Sequence, residues 1–426
     1  MSFGRGGGTG GLGTGRPASL RGLDQVRPAA EYGGTHSSGG VLRPRTLRER
    51  VLAKNSLLRH VDWVLVATVL ALALIGTLLV WSATQPELEQ VGTNPRTYLQ
   101  KQLLNVAIGL GLMVAVSALD YRMMRIYAPF VYAGACLGLL AVLTPFGSTV
   151  NGAHAWISLP GGFQIEPSEY AKLGLILLIA MIFGETRGRA SPPTPRQLLA
   201  VIALAAPVLG MVVAEPALGV TIVLLTVVIG MIVLSGIQLR WIGGLAATGT
   251  IGVLTVWSMH LLKPYQVDRL TAFMNPSANP LGSGYSAAQA KIAIGSGGMF
   301  GQGLFHGQLV AGSFVPSQQT DFIFTVAGEE LGFVGAVTII VLLGVLIFRA
   351  LRIAARADDM FGLLVASGIA VWFGVQVFIN IGMTIGIAPV TGLPLPFVSY
   401  GGSAMFADMI AIGVLQAVHR RHRIFS

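Results

Sequence analysis

The segment Gln318-Gln319-Thr320-Asp321-Phe322-Ile323-Phe324 joins a long polar loop to an apolar run that extends to residue 348. A run of this length suits a membrane-crossing helix, which needs about 20 apolar residues. Within the run lie two more acids, Glu329 and Glu330. Hydrocarbon solvates charge poorly, so acids at membrane depth are usually retained for a function. The segment therefore predicts a membrane protein with a functional carboxylate, Asp321, at the end of a span.

The composition extends this prediction to the whole chain. Hydrophobic residues make up 53% of the 426 residues and charged residues only 11%, whereas soluble proteins contain about 25% charged residues. We therefore predict an all-α polytopic membrane protein with ten transmembrane helices. The ten apolar runs are 61–82, 100–119, 127–144, 167–184, 198–214, 218–236, 241–262, 323–348, 361–384 and 401–418.

The distribution of the basic residues predicts the orientation of these spans. Most of the 28 Lys and Arg residues fall in the N-terminal tail, in alternate loops and at the C-terminus. Cytoplasmic segments carry such an excess, so both termini are predicted to lie in the cytoplasm and the protein in the cytoplasmic membrane. No basic stripe carries interleaved aromatic residues, which argues against nucleic acid as a partner.

The chain divides into a tail and a membrane domain. Residues 1–55 are rich in Gly and Arg without apolar periodicity, which predicts a disordered, basic cytoplasmic tail. Residues 56–426 form the predicted ten-helix domain, with a large extracellular loop at 263–322 between helices 7 and 8. Two pieces of that loop, Leu270–Met274 and Tyr285–Ile294, are apolar enough to predict short interfacial helices. Because the outer loops are elaborate and the inner ones short, we expect function to face outward.

The fourth span opens with the acids and base of Glu166-x-x-Glu169-x-x-Lys172. Residues three apart on a helix are neighbours, so Glu169 can pair with Lys172. The alternative to a functional role is a structural ion pair that locks helices together. Glu329 and Glu330 point about 100° apart on a helix, so they cannot both face one partner.

Asp321 is the strongest candidate for chemistry. No metal-ligand cluster or nucleophile triad is apparent in the sequence. A carboxylate can activate a hydroxyl as a general base, and Arg269, Lys263 or Lys172 can stabilise a departing phosphate. This pattern predicts transfer chemistry on an outward-facing lipid phosphate, although a proton-coupled transporter also uses acids in its spans.

Several motifs resemble the SEDS family, named for shape, elongation, division and sporulation. The likeness covers about residues 60–420, and His306-Gly307 favours its RodA branch over its FtsW branch. The motifs are Asn275-Pro276, Asn279-Pro280-Leu281-Gly282-Ser283-Gly284-Tyr285, Lys291-Ile292-Ala293-Ile294-Gly295-Ser296-Gly297-Gly298, Thr320-Asp321-Phe322-Ile323-Phe324, Pro167-Ser168-Glu169 with Lys172, and Pro389 through Ser403.

The resemblance implies a fold, an activity and partners. The fold would be the ten-helix SEDS fold. The activity would be that of a peptidoglycan glycosyltransferase that polymerises lipid II into glycan strands at the outer membrane face, for elongation and cell shape. Its partners would be lipid II, undecaprenyl diphosphate-linked glycan, membrane lipids and a class B penicillin-binding protein. No cofactor is predicted with certainty, and a divalent cation (Mg²⁺ or Mn²⁺) at Asp321 is left open.

The resemblance also assigns site residues. The family's catalytic Asp falls on Asp321. The predicted substrate- or diphosphate-binding residues are Glu169, Lys172, Arg269, Lys263, Ser399 and Ser403. The predicted structural or supporting residues are Glu215, Thr320, Glu329 and Glu330.

One departure from the family's pattern concerns a carboxylate. The family's Gln-Pro-Asp-Leu-Gly appears here as Glu215-Pro216-Ala217-Leu218-Gly219, so an acid is lost at Ala217 and gained at Glu215. Two other functions stay open at this point: a lipid II flippase or transporter, and a non-catalytic scaffold for a penicillin-binding protein.

Overall fold

The computed structural model describes residues 61–150, 153–158, 164–185, 192–259, 264–275 and 282–425. The predicted tail, residues 1–55, lies outside the described residues. So does Lys263 of the predicted site.

The described chain is mostly helical, as the composition predicts. Its helices, in order, are α1 (Trp63–Gln90), α2 (Thr97–Ala118), α3 (Tyr121–Val142), α4 (Pro167–Gly184), α5 (Pro195–Ala214), α6 (Leu218–Leu234), α7 (Leu239–Ser258), α8 (Pro264–Met274), α9 (Ser283–Ser296), α10 (Gln308–Ala311), α11 (Ile323–Glu330), α12 (Gly332–Arg356), α13 (Met360–Ile385) and α14 (Gly402–Phe425).

Within the described residues, eight helices are long and apolar enough to cross a membrane: α1 to α5, α12, α13 and α14. Helix α6 is apolar but has only 17 residues. The structure thus supports a multi-pass membrane protein, while the count of ten spans stays a prediction.

The predicted span 323–348 is wrong as a single helix, because it is broken between α11 and α12. Gly332 adopts a left-handed φ of +66° at the break, a conformation that glycine adopts without steric cost. The first amide groups of α12 have no intrahelical acceptor. They are satisfied by a glycine-rich loop instead: Phe333 N–H donates to Gly298 O at 2.9 Å, and Val334 N–H donates to Met299 O at 3.1 Å.

The prediction of an all-α fold is also wrong in one loop. Between α3 and α4 lies a small antiparallel sheet of β1 (Gly147–Val150), β2 (Ala153–Ser158) and β3 (Gln164–Ile165), in the order β1-β2-β3. Ile157, on the central strand β2, pairs with Gly147 of β1 on one side and with Ile165 of β3 on the other. Strands this short carry too few alternations to be recognised from hydropathy.

The predicted loop 263–322 is largely structured. It holds α8, α9 and α10, so the short helices expected at Leu270–Met274 and Tyr285–Ile294 are confirmed as helices. Their location at a membrane surface stays a prediction.

Helices α4 and α13 form the centre of the bundle. About three-quarters of each span is buried within the protein, and α13 packs against α4, α6 and α12. The outer helices instead expose large apolar side chains, such as Phe130 and Phe348. Lipid tails can cover such faces, whereas the polar residues buried inside the protein, on α4, α13 and other helices, need a protein partner.

Candidate active site

The backbone of Asp321 is held on both sides. It lies in a tight turn where the Ser317 carbonyl accepts hydrogen bonds from the amides of Thr320 and Asp321, both at 3.1 Å. The amide of Asn380, on α13, donates to Asp321 O at 2.8 Å and to Leu393 O at 2.6 Å. Asp321 is half-buried, and these bonds use its main-chain atoms, so they leave its carboxylate available for another partner.

A second segment, residues 386–400, wraps around the Asp321 turn. We call it the proline loop. Tyr400 N–H donates to Gln319 O at 2.9 Å, and the Ser399 hydroxyl donates to Thr320 O. Ser399 also accepts from Leu395 N–H at 2.8 Å. Ser399 and Thr320, from the predicted substrate-binding and supporting sets respectively, thus brace one loop against the other.

Asp321 lies in a mixed electrostatic environment. Burial raises its pKa from 3.8 to about 6, although the positive charge of Arg269 and a hydrogen bond from Thr320 act to lower it. Arg269, on α8, is itself anchored by a hydrogen bond from Nη1 to Thr391 O at 3.2 Å. A carboxylate with a pKa close to the working pH can both accept and release a proton, as a general base must.

Glu166 lies in the same site, and the sequence-based assignment omitted it. The residue precedes α4, where Ser168 Oγ donates to its Oε1 at 2.7 Å and its N–H donates to the hydroxyl of the predicted Ser403 at 3.0 Å. Burial and then the charge of Glu169 raise the pKa of Glu166 to about 7, with a smaller contribution from Asp321. The signal in the sequence was its position at the head of the Glu166-x-x-Glu169-x-x-Lys172 pattern.

The predicted pair of Glu169 and Lys172 is present, but it is fully buried. Lys172 Nζ lies 2.8 Å from Glu169 Oε1 and 3.0 Å from Gln376 Oε1. It also sits 4.7 Å above the ring of Trp372. With these partners and no exposed surface, Lys172 does not present its charge to an open cleft.

Through Gln376 the ion pair reaches the proline loop. Gln376 Nε2 donates to Pro394 O at 2.8 Å, while its Oε1 accepts from Lys172. Glu169 and Lys172 therefore help to hold in place the proline loop, which lies beside Asp321. A direct contact between Lys172 and a diphosphate stays an untested prediction.

Glu329 and Glu330 face different partners, as the helical spacing predicts. Glu329 accepts the amides of Leu309 at 2.7 Å and Val310 at 3.1 Å, near the start of α10. Glu330 accepts the hydroxyl of Ser82 on α1, and Ser82 Oγ in turn accepts Phe305 N–H from the segment after α9 at 2.9 Å. Both acids thus hold the segment after α9 against the bundle.

Glu215 is the most unusual of the predicted supporting residues. It lies between α5 and α6, its side chain is buried, and neither carboxylate oxygen has a hydrogen-bond partner among the described residues. Burial and then the charge of Glu166 raise its pKa from 4.5 to about 8. The charge of Glu215 therefore interacts with that of Glu166 in the site. Glu215 forms no ion pair with a cation among the described residues.

We expect Glu215→Gln to stabilise the protein at alkaline pH. A carboxyl whose pKa is raised on folding contributes fully below about pH 4.5 and loses that contribution as pH rises through about 8. The variant should gain on the order of a few kcal/mol over the natural chain at pH 8–9 and nothing near pH 4.5. Thermal unfolding of the purified protein between pH 4.5 and 9 measures this, with the exposed Glu87→Gln as control. An unchanged pH dependence in Glu215→Gln would contradict the assignment.

The described residues contain no group of three or more His, Cys, Asp or Glu side chains arranged to hold a metal ion. A cation at Asp321 would thus need most of its ligands from substrate or water.

Comparison with known proteins identifies the family. Residues 62–424 match the family FTSW_RODA_SPOVE, described as cell cycle protein. This chain belongs to that family. The FTSW_RODA_SPOVE match spans every residue of the site described above, and it confirms the resemblance found in the motifs.

The similar proteins include members of the RodA branch. The Escherichia coli K12 protein named peptidoglycan glycosyltransferase MrdB is 35% identical over 86% of this chain and 95% of its own length. Thermus thermophilus rod shape determining protein RodA has a crystal structure that covers 85% of this chain and 97% of its own, at 30% identity and a TM-score of 0.61.

A third similar protein is a chain from a peptidoglycan synthase complex, studied for its coordination of polymerization and crosslinking. It covers 85% of this chain and 98% of its own length, at 31% identity and a TM-score of 0.70. The two chains therefore share a fold over most of this chain and nearly the whole of the other.

Proposed function

We propose that this chain is a peptidoglycan glycosyltransferase that polymerises lipid II at the outer face of the cytoplasmic membrane, for cell elongation and shape. Its family and the names of its relatives support the activity. The observation that carries the site is the carboxylate of the half-buried Asp321, which interacts with the charge of Arg269 and has a pKa of about 6.

The reaction is an inverting glycosyl transfer. The 4-hydroxyl of a lipid II sugar attacks the anomeric carbon of the growing chain while the bond from that carbon to the diphosphate oxygen breaks. Asp321 accepts the hydroxyl proton, and undecaprenyl diphosphate leaves with the bonding electron pair. Arg269 neutralises the charge that develops on the diphosphate.

The remaining predicted residues hold the base in place. Lys172 and Glu169 act through Gln376 on the proline loop, and Ser399 acts through Thr320. A positioning role suits them because small displacements of a catalytic group slow a reaction strongly. Asp321 would also be the residue to hold a divalent cation (Mg²⁺ or Mn²⁺), which would supply further neutralisation of the diphosphate charge, and we propose to test this role.

A class B penicillin-binding protein is the proposed partner. The similarity to a chain of a peptidoglycan synthase complex supports it. Apolar grooves between spans would hold the polyprenyl tails, and both termini would lie in the cytoplasm.

Purified protein and lipid II test the proposal directly. Polymer is followed on a gel with and without the partner and with and without a chelator. Glycan strands made by the natural chain support the glycosyltransferase. Translocation of labelled lipid II in liposomes without polymer would favour the flippase instead. A non-catalytic scaffold predicts neither polymer nor translocation, and normal cell shape in Asp321→Ala cells.

We expect the rate of polymerisation to rise with pH and level off, with its half-maximal point near pH 6. A general base works in its ionised form, and the pKa of Asp321 is about 6. Arg269 lowers this pKa, so Arg269→Gln should move the acidic limb to higher pH. The measurement is kcat/KM for lipid II between pH 4.5 and 8.5, compared as normalised profiles. If the acidic limb of the profile lies at the same pH in Arg269→Gln as in the natural chain, Asp321 is not the titrating group.

A further inference from the structure

A shallow pocket lies beside the site, between α8, α9 and the proline loop. Its lining includes the two cations Arg269 and Lys291. No carboxylate is among the described residues that line it. Lys291 was not among the residues assigned from the sequence, because its neighbourhood depends on the fold of the loop at 263–322.

Lys291 reaches the pocket across a glycine. Its side chain lies so close over Gly386 that a Cβ there would collide with Lys291 Cε and Nζ. Gly386 ends α13 with a left-handed φ of +81°. The side chain of Lys291 is exposed, and it forms no ion pair with a carboxylate in the described part of the chain.

The proline loop connects this lysine to the catalytic carboxylate. In chain order, Gly386 touches Lys291, the Thr391 carbonyl accepts from Arg269, and Gly392 lies beside Asp321, with Oδ2 at 3.4 Å from the position of an added Cβ. Six residues span at most about 22 Å when extended. Lys291, Arg269 and Asp321 therefore all contact one short stretch of the proline loop, residues 386–392.

Apart from these two cations, the residues that line the pocket are apolar. Ala272, Phe273, Ala388 and Val390 line it, and Val390 packs against a small apolar cluster that includes Phe322, the residue after Asp321. Phe273 remains 40% exposed. A ligand that suits this surface combines a concentrated negative charge with a hydrocarbon chain.

We propose that Lys291 and Arg269 together bind the diphosphate of an isoprenoid-linked sugar, with Lys291 as an additional phosphate ligand. The two cations match the charge of a diphosphate, and charge-assisted hydrogen bonds are about twice as strong as neutral ones. The apolar wall at Phe273 receives the first part of the isoprenoid chain. This inference rests on the proposed function, since it names how the same site holds the leaving group.

The test is a binding measurement without turnover. The full-length protein in nanodiscs of phosphatidylcholine is titrated with farnesyl diphosphate, farnesyl monophosphate, farnesol or inorganic pyrophosphate. In the Lys291→Gln variant we expect the Kd for farnesyl diphosphate to rise about 10- to 100-fold. In Lys291→Arg the Kd should stay within about threefold of that of the natural chain. Lys101→Gln, an exposed lysine on α2, is the matched control.

Two outcomes would overturn the inference. In one, Lys291→Gln keeps the same Kd but melts at a lower temperature, so the lysine only stabilises the C-terminal end of α13. In the other, phosphatidylglycerol vesicles compete as well as farnesyl diphosphate, so the pocket binds lipid headgroups in general. A polymerisation assay run in parallel separates the two proposals. Lysine-dependent binding with no polymer from the natural chain would contradict only the proposed function, and polymer with lysine-independent binding would contradict only the inference.

Discussion

Asp321→Asn should abolish glycan polymerisation while the protein stays folded. The substitution removes one proton-accepting oxygen and preserves the shape of the side chain. General-base catalysis contributes about 10²–10⁴-fold, so we expect the rate of polymer formation to fall by that factor. The fold should survive because the main-chain N–H and C=O of this residue keep their hydrogen bonds to Ser317 and Asn380 in the variant.

The measurement is initial rate on lipid II, accompanied by thermal unfolding to show that the variant is folded. Asp268→Asn, an exposed aspartate on α8, provides the matched control and should keep the natural rate. A folded Asp321→Asn protein with full activity would remove Asp321 from the role of base. A chelator series on the natural chain then separates proton transfer from a cation-holding role, since only the second loses activity with the metal.

Lys172→Met should destabilise the protein strongly. The change leaves the carboxylate of Glu169 buried without its cation, and breaking one side of a buried pair costs about 3–5 kcal/mol. It also frees Gln376 Oε1 from one of its two donors, Lys172 and Trp372. We therefore expect a lower unfolding temperature together with a loss of polymerisation.

The double variant Glu169→Gln/Lys172→Met distinguishes support from direct chemistry. Removing both charges often costs little, because the desolvation of both ions is relieved. If the pair only supports the proline loop, the double variant regains stability and a measurable part of the rate. If Lys172 contacts the diphosphate, the double variant folds but stays inactive. Lys101→Met should change neither quantity, and an unchanged unfolding temperature in Lys172→Met would contradict the burial argument.

The sequence predicted the parts of this molecule that depend on local pattern. Apolar length gave the helical membrane domain, and the junction of loop and span identified Asp321. Spacing predicted the contact of Glu169 with Lys172 and the divergence of Glu329 from Glu330. Each of these relations is set within a few residues along one helix.

The features that the sequence did not predict concern relations that only the tertiary structure creates. The break before Gly332 depends on the loop at Gly298 and Met299, which supplies acceptors from more than 30 residues away. The depth of Lys172 follows from Trp372 and Gln376 on another helix. Partners on a distant part of the chain can in this way bury a lysine completely.

The main-chain clamp on Asp321 has a consequence for how a long polymer is made. The side-chain amide of Asn380 donates to the carbonyl of this residue and the Ser317 carbonyl accepts from its N–H, so the backbone that carries the carboxylate is held at a stationary point. A stationary point can serve successive additions only if each finished sugar is moved away from it. We therefore expect the glycan to advance by one disaccharide per cycle past Asp321, while the position of Asp321 in the protein stays the same.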